Sequence, residues 1–346
     1  MNLRKLTGRI GTLAFAALVS GCSLFGTSST PPIDPPPSSV AEEAETLPAS
    51  AAVAENTFNA SLFVRDADGY IVPLGVRLPF DTPDVAKRTL QYMVKGGPGD
   101  ALLPEGFSNV LPAGTEVLSL NIDAGMKTAT VDFNELFTAY EAEEERDILE
   151  AVTWALTGYP SVEYVQLWVE GKALKEMPVA GTPLHGPLSR SFGINIERAP
   201  GVDFTRATPV TLYFLNQTAD NFTYFVPVTR LIDWTEDAAS AAVAELIKGP
   251  SAYSRLEAVF LPIEGDTRVT VDGEYVRVDL DSSLAGSSGA FPAEGLQAMV
   301  LTLTETTPAK GVKITVDGKT RVTATDQQNY GAYPVTRPKV VNPLEL

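Results

Sequence analysis

The apolar and polar positions between residues 58 and 338 follow one pattern that occurs twice. In each copy a short apolar run precedes a Val-Pro-Leu or Val-Pro-Val segment, at 60–65 and 72–74 in the first copy and at 210–215 and 226–228 in the second. Short runs of this kind, separated by turn residues, are typical of strands. Each copy is therefore predicted to begin with two strands.

A helix is predicted after the two strands in each copy. The sequences are DVAKRTLQYMVKG at 84–96 and DAASAAVAELIKG at 237–249, and apolar residues recur on one helical face of both. Thr82 and Thr235 are the predicted N-caps, because a hydroxyl oxygen there can accept a hydrogen bond from the first helical turn. The glycine that closes each sequence is expected to end the helix in a left-handed conformation.

A hairpin, a second helix and a last strand complete each predicted copy. The hairpins occupy 117–133 and 267–280, with Asp-Ala-Gly and Asp-Gly turns. The last strands lie within VQLWVEGK at 165–172 and VKITVDGK at 312–319. The inward positions of the second helices are Ile148, Leu149, Val152 and Leu156, matched by Leu296, Met299, Val300 and Leu303. Each copy therefore follows the order ββ-α-ββ-α-β, an α+β fold with two helices packed on a small mixed or antiparallel sheet.

The spacing of the matched blocks indicates a tandem domain duplication. Residues 131–133 and 278–280 are 147 positions apart, and the first helices are 153 positions apart. Solenoid repeats are much shorter, at about 20–50 residues. Each copy is expected to fold separately, because the joint near Pro200 and Gly201 is polar and turn-rich. The assigned segments are 58–190 for the first domain, 191–208 for an inter-domain linker, 209–338 for the second domain and 339–346 for a C-terminal tail.

The first 22 residues have the pattern of a bacterial lipoprotein signal. Three basic residues precede an apolar stretch at 10–20, which is too short to span a bilayer. The stretch leads into Leu-Val-Ser-Gly-Cys, which resembles a lipobox and ends at Cys22, the single cysteine of the chain. The resemblance implies that 1–21 is a cleaved signal peptide and that the sulfur of Cys22 carries diacylglycerol, with palmitate chains. The protein is therefore expected on the extracytoplasmic face of the cell membrane, with the forespore intermembrane space as one candidate compartment.

Residues 22–57 are assigned to the lipidated cysteine and a linker that is rich in Pro, Ser, Thr and acidic residues. The linker contains no Lys or Arg, and its single aromatic residue is Phe25. Such a composition cannot bury enough apolar surface to offset the entropy lost on ordering. We predict a disordered tether between the membrane and the two domains.

The charge and the scarcity of reactive side chains exclude several classes of protein. The chain has 26 basic and 43 acidic residues, which disfavours non-specific binding to nucleic acid. With one His and one Cys, it cannot form most zinc sites, a disulfide framework or duplicated catalytic triads. It also has no G-x-S-x-G motif, P-loop or dinucleotide fingerprint. We therefore expect no enzyme activity, no catalytic or metal-binding residue and no cofactor, which leaves the lipidation of Cys22 as the assigned site.

Four polar features of the sequence are candidates for a site. His185 lies in a predicted loop, and the second copy has alanine at the matching position. Asp279 and Asp281 would share a strand face and could bind a cation, but the first copy keeps one acid there. The Asp-Ala-Asp-Gly sequence at 66–69 begins like a calcium loop, although its twelfth position is arginine and not glutamate. The acidic run at 141–147 is interpreted as a solvated face at a helix N-terminus.

The order of the sequence blocks resembles the GerMN domain. The second copy has LIKGP at 246–250, Leu-Pro at 261–262, VDL at 278–280 and VDGK at 316–319, whereas the first copy departs slightly with KGGP at 95–98 and VEGK at 169–172. The resemblance implies a role in endospore formation and germination at a membrane surface, through protein–protein assembly and without established catalytic residues. The domain is also similar to the ring-building modules of sporulation channel proteins, which implies lateral packing.

Two functions remain open from the sequence. The first is a lipid-anchored, non-enzymatic assembly or scaffold protein whose partners are the membrane, through Cys22, and other sporulation envelope proteins. The alternative is a peptidoglycan-binding or wall-processing module, which would need an exposed aromatic platform. Trp154, Trp168, Tyr159 and Tyr164 are the candidates for that platform. Trp154 falls on the core pattern of the second helix, whereas Trp168 faces away from the apolar side of its strand.

Overall fold

The repeated sequence pattern produces two copies of one α+β arrangement. The structure is a computed structural model that describes residues 56–81, 84–261 and 267–344. The first copy contains β1 (Thr57–Arg65), β2 (Ile71–Pro79), α1 (Val85–Gln91), β3 (Val117–Asp123), β4 (Thr128–Phe133), α2 (Glu145–Leu156), β5 (Tyr164–Val169) and β6 (Lys172–Ala173). After β7 (Glu197–Arg198), the second copy contains β8 (Ala207–Gln217), β9 (Thr223–Asp233), α3 (Ala238–Lys248), β10 (Arg268–Asp272), β11 (Tyr275–Leu280), α4 (Ala293–Thr306), β12 (Gly311–Val316) and β13 (Val335–Thr336).

The strand topology is the same in both copies. A long antiparallel hairpin, β1–β2 or β8–β9, is followed by a separate four-stranded sheet. In that sheet β3 and β10 pair antiparallel with β4 and β11, which in turn pair parallel with β5 and β12. The parallel pair is possible because α2 and α4 form the crossover connections. The predicted α+β fold with a mixed sheet is therefore confirmed.

The helix faces that the sequence predicted as apolar form the cores of the two copies. Ile148, Leu149, Val152 and Leu156 of α2 are buried, as are Leu296, Met299, Val300 and Leu303 of α4. Each copy has its own apolar cluster, but the clusters do not follow the copy boundary strictly. Val72 of β2 packs in the cluster of the second copy, and Ile194, beyond the first domain, packs in the cluster of the first.

The first helix of the first copy is shorter than predicted, whereas that of the second copy matches its prediction. Helix α1 ends at Gln91, because Val94 forms a parallel bridge with Leu111 and leaves the helical path. Helix α3 extends to Lys248 and is closed by Gly249, whose φ of 89° is positive as predicted.

The N-cap of the second copy is also different from the prediction. The side chain of Asp237 caps α3 by accepting a hydrogen bond from the Ser240 N–H at 3.0 Å, whereas Thr235 accepts one from the Asp237 N–H at 3.1 Å. Thr235 therefore positions the capping residue and is not itself the cap, which corrects the prediction. Thr82, its counterpart, lies outside the described residues.

Both copies belong to one compact unit. The segment that the sequence assigned to the linker at 191–208 and the described part of the tail, up to residue 344, take part in it. Strand β7 pairs parallel with β9, and Pro343 bridges to Gly75 of β2. Among the described residues, no helix has the length and apolar character needed to cross a membrane.

Candidate functional site

The lipidation prediction for Cys22 concerns residues outside those that the structure describes. The same is true of the signal peptide at 1–21 and of the linker up to residue 55. These assignments therefore remain predictions from the sequence.

His185 lies exposed in the loop between β6 and β7. Within the described ranges, no group of three or more His, Cys, Asp or Glu residues is placed to hold a metal ion. His185 therefore belongs to no metal-binding group of that size in those ranges.

The carboxylate of Asp279, on β11, stabilises the turn at Gly318 that follows the neighbouring strand β12. This carboxylate accepts hydrogen bonds from the Gly318 N–H at 2.8 Å and the Thr315 hydroxyl at 2.7 Å. These bonds favour the ionised form and lower the pKa of Asp279 below its usual value. In the first copy Asp132 accepts from the Gly171 N–H at 3.0 Å in the same way. This bond links the Val-Asp strand to the late Gly-Lys turn in both copies, so the paired motif is structural.

The remaining acidic features are also used within the fold. Asp281 accepts a hydrogen bond from the Ser283 N–H at 2.8 Å and caps a short 3-10 helix. Glu145, in the acidic run, is only 1% exposed, and its carboxylate accepts bonds from the Ala180 N–H at 2.7 Å and the Thr182 N–H at 2.9 Å. The interpretation of this run as a solvated face is therefore wrong for Glu145, because a distant loop supplies donors that the local sequence does not reveal.

Asp66, the first residue of the calcium-like sequence, makes contact with the second copy instead. Its carboxylate accepts hydrogen bonds from the Tyr70 N–H at 2.8 Å, the Tyr224 hydroxyl at 2.9 Å and the Asn216 amide at 3.1 Å. Burial raises the pKa of Asp66, and these bonds oppose that shift. The same Asn216 amide also donates to Asp68 at 3.1 Å. The side-chain amide of Asn216 in the second copy thus donates hydrogen bonds to two aspartates of the first copy.

The four aromatic candidates do not share one exposed surface. Trp154 is 1% exposed, and its indole Nε1 donates to the Gly193 carbonyl at 3.0 Å, as expected for a core residue. Tyr159 is partly buried and hydrogen-bonds Thr89 at 2.7 Å. Trp168 is half-buried, with a buried Nε1 that has no partner among the residues described. Tyr164 is 43% exposed, which makes it the most accessible of the four.

The most extensive polar constellation lies on the seam between the two copies, where each copy extends its terminal segment along the hairpin of the other. Ile194, from the end of the first copy, accepts a hydrogen bond from the Thr229 N–H of β9 at 2.8 Å. Asn342, from the end of the second copy, accepts one from the Gly75 N–H of β2 at 2.9 Å, and the Leu344 N–H returns a bond to the Gly75 carbonyl at 2.8 Å. The terminal segment of each copy thus forms backbone hydrogen bonds with the hairpin of the other copy.

Two asparagines fasten this seam through their side chains. The Asn195 amide donates to the Ile71 carbonyl at 2.8 Å and the Pro227 carbonyl at 2.7 Å, and its oxygen accepts from the Ile71 N–H at 2.8 Å. The Asn342 amide donates to the carbonyls of Pro73 and Phe225 at 2.8 Å, and its oxygen accepts from the Phe225 N–H at 2.8 Å.

A carboxylate from the second copy adds an ionic contact to the seam. Arg190 of the first copy donates to both oxygens of Glu305 at 2.7 Å, and Arg337 lies 3.0 Å from one of them. The Glu305 side chain is 9% exposed, so this network is screened little by solvent. Its arrangement resists separation of the copies and brings together no group suited to proton transfer or nucleophilic attack.

A family model described as "Germane: Sporulation and spore germination" matches residues 61–175 and 211–322. The chain belongs to this family. It is 37% identical over 367 residues to the spore germination protein GerM of Bacillus subtilis (strain 168), covering 98% of this chain and 99% of that protein. It is also similar to the solved tandem GerMN domains of the sporulation protein GerM from Bacillus subtilis, with a TM-score of 0.76 and 38% identity over 83% of this chain and 99% of that one.

Membership in the Germane family confirms the resemblance to tandem GerMN domains and supports a role in sporulation or spore germination. The matched ranges end before Asn195 and Asn342, and neither asparagine belongs to a motif of the repeated pattern. The sequence contains one indication of their shared role. The two asparagines are 147 positions apart, which is also the spacing between the matched motifs at 165–172 and 312–319.

Proposed function

We propose that this Germane-family protein is a lipid-anchored, non-enzymatic scaffold that assembles other proteins in the cell envelope during endospore formation and spore germination. The observation that carries the proposal is the reciprocal seam, in which Asn195 and Asn342 bridge the two hairpins. A scaffold needs its docking surfaces at fixed positions, and this seam fixes two similar domains against each other.

The use of the polar candidates within the fold supports the non-enzymatic part of the proposal. Asp279, Asp281 and Asp66 each accept hydrogen bonds from backbone or side-chain groups of the same chain. A general acid or base needs access to substrate and a pKa suited to proton transfer. The lowered pKa of Asp279 and its contacts with the Gly318 turn are suited to a structural carboxylate.

The anchoring part of the proposal depends on the lipobox that ends at Cys22. Acyl chains would hold the two domains near the membrane and raise their effective concentration for neighbouring envelope proteins. Metabolic labelling with an alkyne fatty acid in sporulating cells tests this step. We expect label on the wild-type protein and none on Cys22→Ala; label retained by the variant would refute anchoring at this residue.

The scaffold step needs a separate experiment in the same cells. Cross-linking of the anchored protein, followed by identification of the partners, is compared with the Cys22→Ala variant at equal abundance. We expect a defined set of envelope proteins that is lost or much reduced when the anchor is removed. An unchanged set of partners, or none, would argue against an anchored scaffold.

Peptidoglycan binding is the second candidate, and the exposure of Tyr164 is the observation that favours it. Tyr164 is 43% exposed, and the half-buried Trp168 lies on the same strand. Co-sedimentation of the purified protein with insoluble peptidoglycan tests this function. Binding that is abolished by Tyr164→Ala and by Trp168→Phe would favour it over the scaffold.

A further inference from the structure

One of the differences between the two copies opens a groove in the second copy. The groove has a volume of about 730 Å³ and lies between β8, β9, α4 and the tail at 340–343. Leu215, Glu294, Leu301 and Val340 are among the residues that line it. The equivalent residues of the first copy show what closes this space there.

The equivalence of the two places rests on bonds that both copies make. Arg65 and Leu215 occupy the same position, because the Arg65 N–H donates to the Ser108 carbonyl and the Leu215 N–H donates to the Glu257 carbonyl at the corresponding bridge. Each position also pairs with the matching residue of the second strand, Arg65 with Ile71 and Leu215 with Phe225, although the second hairpin extends two residue pairs further before its turn.

The helices α2 and α4 are aligned in the same way. Arg190 donates to the Thr157 hydroxyl at 3.0 Å, and Arg337 donates to the Thr304 hydroxyl at 3.4 Å. Trp154 and Leu301 each lie three residues before these threonines and are therefore equivalent. The same spacing of 147 residues relates Asp147 to Glu294 and Gly193 to Val340.

Two side chains close the space in the first copy. The Trp154 indole fills it and donates its Nε1 hydrogen to the Gly193 carbonyl at 3.0 Å. Arg65 forms an ion pair with Asp147 at its edge. An aromatic ring and a guanidinium group are thus the chemistry that this space accommodates.

Both of these groups are missing from the second copy. Leu301 replaces the indole and Leu215 replaces the guanidinium, whereas an acid is retained because Glu294 stands at the position of Asp147. The groove therefore keeps the carboxylate of the first copy and lacks its cation. The groove thus presents an aliphatic wall, which includes Leu301, and the carboxylate of Glu294. A ligand with an aromatic ring and a basic group would complement both of these features.

We propose that the groove of the second copy binds a segment of a partner polypeptide that carries an aromatic residue next to a basic one. The ring lies between Leu301 and Val340, and the basic side chain pairs with Glu294. A polypeptide is the occupant to expect, because the groups that fill the matching space are amino-acid side chains on neighbouring elements. This inference rests on the proposed scaffold function and names the chemistry of one docking surface.

Titration of the isotopically labelled full chain by NMR tests the proposal. The probe is the peptide Ac-Ala-Arg-Trp-Ala-NH2, with Ac-Ala-Arg-Ala-Ala-NH2 and Ac-Ala-Glu-Trp-Ala-NH2 as matched controls. We expect saturable shifts in α4 and at 340–343, with an affinity at least tenfold lower for either control peptide. No saturable shift with the first peptide, or equal affinity for free indole, would overturn the assignment to a polypeptide.

Two variants locate the binding. Leu301→Trp places the missing ring in the groove and should abolish the shifts, and because the ring fills open groove volume it should preserve or raise the melting temperature. Glu294→Lys, on the exposed rim, should reverse the preference between the arginine and glutamate peptides without any change in core packing. Glu105→Lys, at an exposed position of the first copy, serves as the control for added positive charge and should leave the affinity unchanged. Binding that is unchanged by both groove variants would refute this location.

The outcome can be separated from that of the scaffold proposal. If the peptide does not bind but the anchored protein still cross-links to its defined partners, the groove inference fails and the scaffold function stands. If Leu301→Trp removes both peptide binding and one cross-linked partner, the groove is the docking site for that partner.

Discussion

Asn195 and Asn342 are 147 positions apart in the chain and make equivalent hydrogen bonds across the seam. Each side chain bonds both the N–H and the carbonyl of one residue in its own copy, Ile71 or Phe225, and the carbonyl of a proline in the other copy. The duplication therefore created a pseudo-symmetric interface in which each copy supplies the same fastening residue.

Replacement of either asparagine with alanine should destabilise the protein. The change removes three hydrogen bonds at the seam and leaves backbone groups of both β2 and β9 unsatisfied. Asn195→Ala and Asn342→Ala should therefore each cost about 2–4 kcal/mol in the free energy of unfolding. Urea unfolding measured by circular dichroism gives this value. Asn59→Ala, at an exposed position of β1, is the control and should change it by less than about 0.5 kcal/mol. A similar small effect at the seam positions would contradict the assigned role of the asparagines.

The Glu305 network should contribute to stability through both arginines. Glu305→Ala leaves Arg190 and Arg337 without their shared carboxylate in a poorly solvated site, and we expect a loss of about 2–4 kcal/mol. Glu163→Ala, which breaks an exposed pair with Lys127, should cost at most about 1 kcal/mol. Thermal and urea unfolding of both variants provide the comparison. Equal losses in the free energy of unfolding would show that the Glu305 network contributes no more to stability than an exposed ion pair.

Much of each copy could be predicted from the sequence because its determinants are local. The inward face of α2 repeats at helical spacing, and the turn at 272–273 follows from an Asp-Gly pair between alternating strands. The end of α1 could not be predicted in this way. The pairing of Val94 with Leu111 decides it, and that contact joins residues from different segments.

The seam was missed for a related reason. Asn195 lies in a short polar segment near Pro200 and Gly201, a composition that is typical of a linker, and its partners at Ile71 and Pro227 are distant in sequence. Glu145 was missed because an acid in a run of acids usually faces solvent, whereas here the N–H groups of Ala180 and Thr182 surround it. The burial of an acidic side chain therefore depends on donors from segments that are distant in sequence, and a local run of charges does not reveal them.

Glu150 should make stability depend on pH. Burial raises its pKa from 4.5 to about 7, although bonds from the Asn195 N–H and from Arg146 favour the ionised form. Between about pH 4.5 and 7 the carboxyl group is ionised in the unfolded chain and protonated in the folded one, so its contribution to stability falls as the pH rises. One pKa unit corresponds to about 1.4 kcal/mol, so the total change in the free energy of unfolding is at most about 3.5 kcal/mol.

The Glu150→Gln variant isolates this contribution. The neutral amide avoids the burial of a charge, so the variant should gain stability relative to wild type at pH 7 and lose that gain below about pH 4.5. Melting temperatures measured between pH 4 and 8 test this difference, with the exposed Glu163→Gln as the control. A gain that is the same at every pH would show that the carboxyl group does not titrate in the expected window.

The second copy alone should fold cooperatively but melt at a lower temperature than it does within the whole chain. It has its own apolar cluster, which favours independent folding, but separation removes the bonds of Asn216 and Tyr224 to Asp66 and those of the tail to Gly75. Circular dichroism melts of residues 205–346 and of the full chain provide the test. A non-cooperative melt would contradict independent folding, and an identical melting temperature would contradict coupling through the seam.

Complementation of a deletion strain tests most directly the central claim that the protein acts through surface contacts and performs no chemistry. The variants are His185→Ala, Asp279→Asn and Asp281→Asn, each expressed in sporulating cells and checked for folding and membrane attachment. We predict that each restores spore formation and germination to the wild-type level, whereas Glu294→Lys, on the exposed groove of the second copy, reduces both. Loss of function in a folded, attached variant at one of the three polar positions would contradict the scaffold account and indicate a catalytic or ligand-binding site.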